Sequence, residues 1–284
     1  MKEIDLTVII VGWKVKDSLK NCLVSIFQET SKINLEVIVV DNASCDETVE
    51  MVAEDFPKVA LISNLHNRGF ARAVNQGLKQ ARGRYVLLLN PDTIIVDQAL
   101  DRMAAFMDSR PEAGIAGCRL LNGDKSLQPS VRKFPSFWGQ LAMMFKLHHL
   151  IKLNSYLMTG FNYQKEGEVD QVMGAFFMIN RKVMETIGLF DEQYHLWFEE
   201  VDYCFRAKKH GFKVIYTPQA QIIHLGGQSF AQTYRIKSQW NFSKSRLRYI
   251  KKNQSFWLFL IILILMPISL LLSFLFSLIS PKNV

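Results

Sequence analysis

The chain has 284 residues, 49% apolar and 21% charged, with 15 glycines and 8 prolines, which excludes a disordered, collagen-like or low-complexity protein. Cys22, Cys45, Cys118 and Cys204 are scattered without CxxC spacing, so neither a disulfide framework nor a zinc finger is expected and a reducing compartment fits better. The net charge of +8 is confined to the end of the chain: residues 1–234 hold 26 basic and 26 acidic side chains, which excludes diffuse nucleic-acid binding by the main domain.

Residues 6–11 (LTVIIV) form a continuous apolar, mostly β-branched run, as expected of a strand buried on both faces of a parallel sheet. Residues 17–28 follow with Leu19, Cys22, Leu23 and Ile26 at helical spacing. A strand is predicted over 35–40, a helix over 46–55, a strand over 59–63, a helix over 70–81 and a strand over 85–89. Strands alternating with helices in this way describe a doubly wound nucleotide-binding half, whose ligands sit beyond the carboxyl ends of the strands. Those ends are Val11-Gly12-Trp13, Asp41-Asn42, the 64–69 turn and Asn90-Pro91-Asp92. Further on, strands are predicted over 114–121, 169–179, 213–217 and 220–224, and helices over 181–187 and 199–210. Residues 133–161, rich in Phe, Met, Leu and His, read as an amphipathic insertion near a membrane.

Beyond residue 234 come Arg235, Lys237, Lys244, Arg246, Arg248, Lys251 and Lys252 without an acid, interleaved with Trp240, Phe242, Leu247 and Tyr249. Residues 256–279 then carry no charge. The basic collar (231–255) reads as an interfacial helix, and the tail as a membrane helix that spans or, because of Pro267, folds back. Cations stay on the cytoplasmic side, so the expectation is a protein on the cytoplasmic face of the inner membrane, held by a single C-terminal segment.

Five segments carry chemistry. Asp41 ends a strand where a base or ribose contact is made, whereas Ser44 and Asp46 read as caps of the next helix. In LLLNPD, Pro91 stops a buried strand and presents Asp92 at the rim; spacing alone does not separate a cation-holding carboxylate from an Asn-Pro-Asp turn. FEEVD opens a helix with Glu199, Glu200 and Asp202, which the helix dipole favours by itself; the surrounding aromatic residues would raise a carboxylate's pKa toward that of a general base. His224 precedes two glycines and is either a metal or phosphate contact or a surface histidine, and Arg68 is either a phosphate contact or a solvated cation.

In order, TVIIVGW, EVIVVDNASCDET, NLHNRGFARAVNQGL, GRYVLLLNPDT, the run from GAFFMINRKV to CFRAKKHGF, and HLGGQS resemble glycosyltransferase family 2, inverting enzymes of GT-A fold. The closer likeness is to its rhamnosyltransferase-like branch of bacterial surface-polysaccharide synthesis. The resemblance implies an α/β, mostly parallel GT-A sheet over 1–230, with a Rossmann-like nucleotide-sugar half (1–118) and an acceptor half (119–230). It implies nucleotide-sugar contacts from Val11, Gly12, Asp41, Asn67, Arg68, Gly69, Asn90 and Asp92, and Mg2+ or Mn2+ held by Asp92 with His224. It implies Glu200 as general base, with Glu199 or Asp202 next. Gly12-Trp13 stands for the frequent Asn-Tyr pair, Asn90 for a first carboxylate, and Glu200 for the usual Asp.

The implied reaction is transfer of a sugar, with a dTDP-linked deoxysugar favoured, from a nucleotide diphosphate to a hydroxyl of a polyprenyl-linked glycan at the membrane. The alternatives are a polyprenyl-phosphate glycosyltransferase, whose acceptor needs no base, and a non-catalytic membrane-anchored nucleotide-binding protein. A dehydrogenase is disfavoured because no GxGxxG follows the first strand, and a processive synthase because one apolar segment builds no translocation channel.

Overall fold

A computed structural model describes residues 3–145, 154–226 and 235–279, with the side chains of the last helix described as far as Leu272. The elements in chain order are β1 (Leu6–Gly12), α1 (Lys16–Glu29), β2 (Leu35–Asp41), α2 (Thr48–Asp55), β3 (Ala60–Ser63), α3 (Phe70–Gln80), β4 (Tyr85–Leu89), β5 (Thr93–Ile95) and α4 (Ala99–Ser109). They continue with β6 (Ala113–Leu121), β7 (Leu127–Gln128), β8 (Val131–Arg132), α5 (Phe137–Met144), α6 (Asn154–Leu157), β9 (Gly167–Glu168), β10 (Gln171–Val172) and β11 (Phe176–Asn180). The chain closes with α7 (Arg181–Ile187), α8 (Glu199–Lys209), β12 (Lys213–His224), α9 (Arg235–Asn253) and α10 (Phe256–Ile279).

The main sheet runs β3-β2-β1-β4-β11-β6-β12-β5. Its first four strands are parallel and in register from Leu6 opposite Leu35 and Tyr85, so Gly12 and Asp41 lie side by side at one edge. Strand β11 enters antiparallel between β4 and β6, and β5 pairs antiparallel with the end of β12. That last pairing sets Thr93 opposite His224, which brings Asp92 to the histidine across 132 residues of chain. Apolar side chains fill both faces: Val8, Ile10, Val37, Val39, Leu87 and Leu89 pack on α1 and α4, while Ile9, Ile38, Val40, Val86 and Leu88 pack on α3. This two-sided burial is why the strands read as unbroken apolar runs.

Several sequence expectations are corrected. The strand expected over 169–179 is two strands, β10 in a separate ribbon with β8 and β11 in the main sheet. The two short strands expected over 213–224 are one, β12, with a register shift between Tyr216 and Gln221 that accommodates Pro218. Helix α2 begins at Thr48 with Glu47 left-handed before it and no side-chain cap. Ser44 instead accepts from the Lys14 amide (2.9 Å) and Asp46 from the Lys16 amide (3.4 Å), so both brace the turn after β1.

The membrane segment is the largest correction. No helix among the described residues is long and apolar enough to cross a membrane. One side of α10 is also committed to protein: Leu258 and Ile262 are buried with Met144 of α5 and Ile250 of α9. The single C-terminal membrane segment, and the inner-membrane placement that rested on it, are therefore withdrawn.

The collar is likewise a packed helix. Tyr249 and Ile250 of α9 are fully buried against Phe198 and Val201, and Ser245 donates to the Leu196 carbonyl at 2.8 Å. Arg248 and Lys252 reach Asp191 at 2.7 and 3.0 Å, and Lys252 also reaches Asp202 at 2.9 Å. Burial would raise the Asp191 carboxyl, but the Arg248 and Lys252 contacts outweigh it and hold it below the usual range. Part of the collar's charge is thus spent on fastening α9 to the domain.

Candidate active site

Asp41, at the end of β2, is buried, and Oδ2 accepts from the Ser44 amide at 3.2 Å. Its Oδ1 is sealed from solvent without a partner among the described residues, an acceptor suited to an incoming N–H. Next to it stands Asn42, which the sequence places at the strand end without a role of its own. Asn42 Nδ2 donates to Asn67 Oδ1 (3.1 Å), and Asn42 Oδ1 accepts from the Arg68 amide (2.9 Å). Asn67 Oδ1 also accepts from the Gly69 amide at 2.9 Å. The Asn67-Arg68-Gly69 turn is thereby tied to the Asp41 strand end. Gly69 has φ +83°, and a Cβ there would stand 2.5 Å from His195 Nδ1, so this turn touches the loop before α8 as only glycine can. The main chain after β1 closes the floor, where the Asn42 amide donates to the Gly12 carbonyl at 2.8 Å, next to Val11.

Asn90, Asp92 and His224 meet at the next strand ends. Gln128 Nε2 donates to Asn122 Oδ1 at 2.9 Å, which turns its Oε1 toward His224 Nδ1 at 2.7 Å. His224 therefore carries its proton on Nδ1 and keeps a lone pair on Nε2. That nitrogen lies 3.4 Å from Asp92 Oδ1 and 3.3 Å from Asn90 Nδ2. A carboxylate and an imidazole lone pair facing each other, both buried, are a donor set that a divalent cation completes. No cluster of three His, Cys, Asp or Glu gathers among the described residues, so phosphate and water oxygens would supply the remaining ligands. Gly227 to Ser229, the end of the HLGGQS motif, lie outside the described residues.

The three acids of FEEVD part company. Glu199 and Glu200 open α8 behind Trp197 and Phe198, both left-handed at φ 65° and 68°. Two consecutive non-glycine residues in that region are costly, about 1–3 kcal/mol each, and here they aim the helix start into a cleft. Glu199 Oε2 and Glu200 Oε2 are sealed without partners. Burial, then the charge of Glu200, pushes the Glu199 carboxyl well above the ordinary range; burial raises Glu200 also, against backbone amides that lower it. Glu200 lines an open cleft of about 140 Å³ with Ser130, Arg132, Tyr156, Met173, Trp197 and Phe242. Asp202 is different: Oδ2 accepts from Arg206 (2.9 Å) and Lys252 (2.9 Å), and Oδ1 from Asn253 (2.9 Å) and Tyr194 (3.4 Å). Asp202→Ala would release these cations and loosen α9, with an expected loss of about 2–4 kcal/mol, measured by urea unfolding.

The two groups are linked through short stretches of chain. Gln128, bonded to His224, is two residues from Ser130, and Ala175, whose carbonyl accepts from the Asn90 amide at 3.1 Å, is two residues from Met173. Two extended residues span about 7 Å at most, so residues that touch His224 and Asn90 lie close to residues that line the Glu200 cleft.

This arrangement, with its sheet order, defines a GT-A-like glycosyltransferase. The profile of the family described as "Glycosyltransferase like family 2" matches residues 4–243, and the chain belongs to that family. It is 26% identical over 234 residues to the N-acetylglucosaminyl-diphospho-decaprenol L-rhamnosyltransferase of Mycobacterium tuberculosis, covering 77% of this chain and 75% of that one. It is also 26% identical over 191 residues to the rhamnosyltransferase WbbL of Escherichia coli, covering 66% and 70%. Among solved structures, the mannosyltransferase PcManGT of Pyrobaculum calidifontis, in complex with GDP-Man and Mn2+, aligns with TM-score 0.58 at 18% identity, covering 100% of this chain and 77% of that one. GalNAc-T7 with UDP, GalNAc and Mn2+ aligns with TM-score 0.61 at 15% identity, covering 88% and 48%. At these identities the structural likeness speaks for the fold alone.

Proposed function

We propose that this glycosyltransferase moves a hexose, a deoxysugar such as rhamnose in the first instance, from a nucleotide diphosphate to a hydroxyl of a polyprenyl-diphosphate-linked saccharide, inverting the anomeric centre. The observation that supports the reading is the buried Asp92–His224 pair, held through Gln128 only two residues from Ser130 of the Glu200 cleft. Asp41 receives the base through its free Oδ1, beside the Asn67-Arg68-Gly69 turn and the Val11-Gly12 main chain. Asp92 and His224 would hold Mg2+ or Mn2+, which would supply charge neutralisation to the donor's diphosphate. Glu200 accepts the proton of the acceptor hydroxyl as that oxygen attacks. Glu199, its carboxyl pushed well up by burial and by the charge of Glu200, does not line the cleft, and Asp202, saturated by cations, fastens α9 and takes no part in proton transfer. An acceptor that is itself a phosphate needs no base, so a Glu200 carboxylate whose Oε2 has no partner among the described residues favours the hydroxyl acceptor. The test is transfer from dTDP-rhamnose and a panel of UDP and GDP sugars to a GlcNAc-diphospho-prenol with Mn2+. Product from one donor class is expected; donor binding without any product would overturn the catalytic reading.

A further inference from the structure

Helix α9 carries a cation that the domain does not neutralise. Arg246 is 1% exposed, and its Nε and Nη2 have no hydrogen-bond partner among the described residues. Ser243 Oγ and Tyr249 OH, three residues before and after it and so on the same helix face, are equally sealed and unpartnered. This face meets the active site: the Arg246 guanidinium stands 5.8 Å from the ring of Phe242, and Phe242 lines the Glu200 cleft. On the cleft wall itself, Arg132 donates from Nη1 to the Pro129 and Val131 carbonyls at 3.2 and 2.7 Å and has no carboxylate partner among the described residues.

A sealed guanidinium without an anion is a costly state. Burial alone pulls its pKa down to about 10, so the group remains a cation at neutral pH. Its neighbours Arg248 and Lys252 show what α9 does with cations that serve the fold: both are paired with aspartates. Arg246 is left for an anion that comes from outside.

We propose that Arg246, with Ser243 and Tyr249, and Arg132 at the cleft form the site that grips the diphosphate of the acceptor. This rests on the acceptor being the lipid-linked diphosphate named above. The guanidiniums would take the phosphate oxygens in charge-assisted hydrogen bonds, placing the saccharide hydroxyl at Glu200, while the rings of Trp197 and Phe242 on the cleft wall offer apolar surface to the first prenyl units.

The test uses the full chain as Asp92→Ala with a chelator, so that the donor's own diphosphate subsite is silent, and reads the thermal shift produced by inorganic pyrophosphate and by farnesyl diphosphate. Both probes are expected to raise Tm, farnesyl diphosphate with at least about tenfold higher affinity; equal affinities would overturn the lipid-linked source. Arg246→Met and Arg132→Met are each expected to weaken farnesyl diphosphate at least about tenfold, with Arg246→Lys intermediate should the Met variant not fold. Arg246→Met is also expected to raise the Tm of the ligand-free chain, because it removes an unpaired buried charge. Unchanged affinity in either Met variant, or no response of the Asp92→Ala chain to either probe, would overturn the site. Binding needs no donor sugar, so this result is separate from success or failure of the transfer assay.

Discussion

Asp92→Ala is expected to lower kcat/KM for transfer by about 10³-fold or more while the chain keeps its fold and Tm, several kcal/mol of charge stabilisation being what a bound divalent ion gives a leaving diphosphate. The fold should survive because Asp92 has little structural work in its side chain. Its main-chain carbonyl, which accepts from the Leu225 amide at 2.9 Å, is untouched by the change. Its carboxylate faces His224 Nε2 at 3.4 Å and has no other side-chain partner among the described residues. The same geometry predicts that Mn2+ raises the Tm of the unsubstituted chain and leaves that of Asp92→Ala unchanged. Full activity in Asp92→Ala, or an unchanged Mn2+ shift, would remove Asp92 from the metal role.

Much of the strand framework behind the candidate site was legible in the sequence, for a physical reason. A strand buried on both faces must be apolar throughout, so LTVIIV, VIVV and VLLL announce themselves, and the first polar residue after each is at the ligand edge. What periodicity does not carry is the order of strands. Nothing local in FFMIN says that β11 slots antiparallel between β4 and β6, and β5, three residues long, leaves no period to read, although its pairing with β12 is what brings Asp92 to His224. Helix α4 went unread in the stretch after Asp92, despite Leu100, Met103, Ala104 and Met107 on its buried side. Asn42 was hidden because its role is to hold a turn 25 residues away.

The tail shows the opposite error, a local pattern read too far. An uncharged apolar stretch after a basic collar suits a bilayer, but Leu258 and Ile262 are used against α5 and α9, and the collar's Arg248 and Lys252 against Asp191 and Asp202. Composition reports how apolar a helix is; only the tertiary structure reports what covers it. The acceptor wall, with α9 as one of its elements, was therefore not recognisable from the motifs.

The division of labour between Glu199 and Glu200 yields the second large effect. Glu200→Gln is expected to lower kcat by about 10²–10⁴-fold, the contribution typical of a general base, with donor affinity unchanged. Glu199→Gln should be mild by comparison, because Glu200 lines the cleft and Glu199 does not. The sign of the pH dependence follows. A base must be deprotonated, so the acidic limb of kcat lies above the ordinary glutamate range, and Glu199→Gln, which keeps position 199 neutral at every pH, retains that limb. Raised folded pKa values also mean that the native state binds more protons than the unfolded one. The pair's stabilising contribution is present below the unfolded glutamate pKa of about 4.3 and is lost as pH rises through the folded values. Glu200→Gln should therefore cost activity and return stability at neutral pH. Measuring kcat against pH for the three chains, beside their urea midpoints at pH 5 and 8, separates the roles. If Glu199→Gln proves the inactive variant and Glu200→Gln the mild one, the base is Glu199 and the helix start presents its first carboxylate, not its second, to the acceptor.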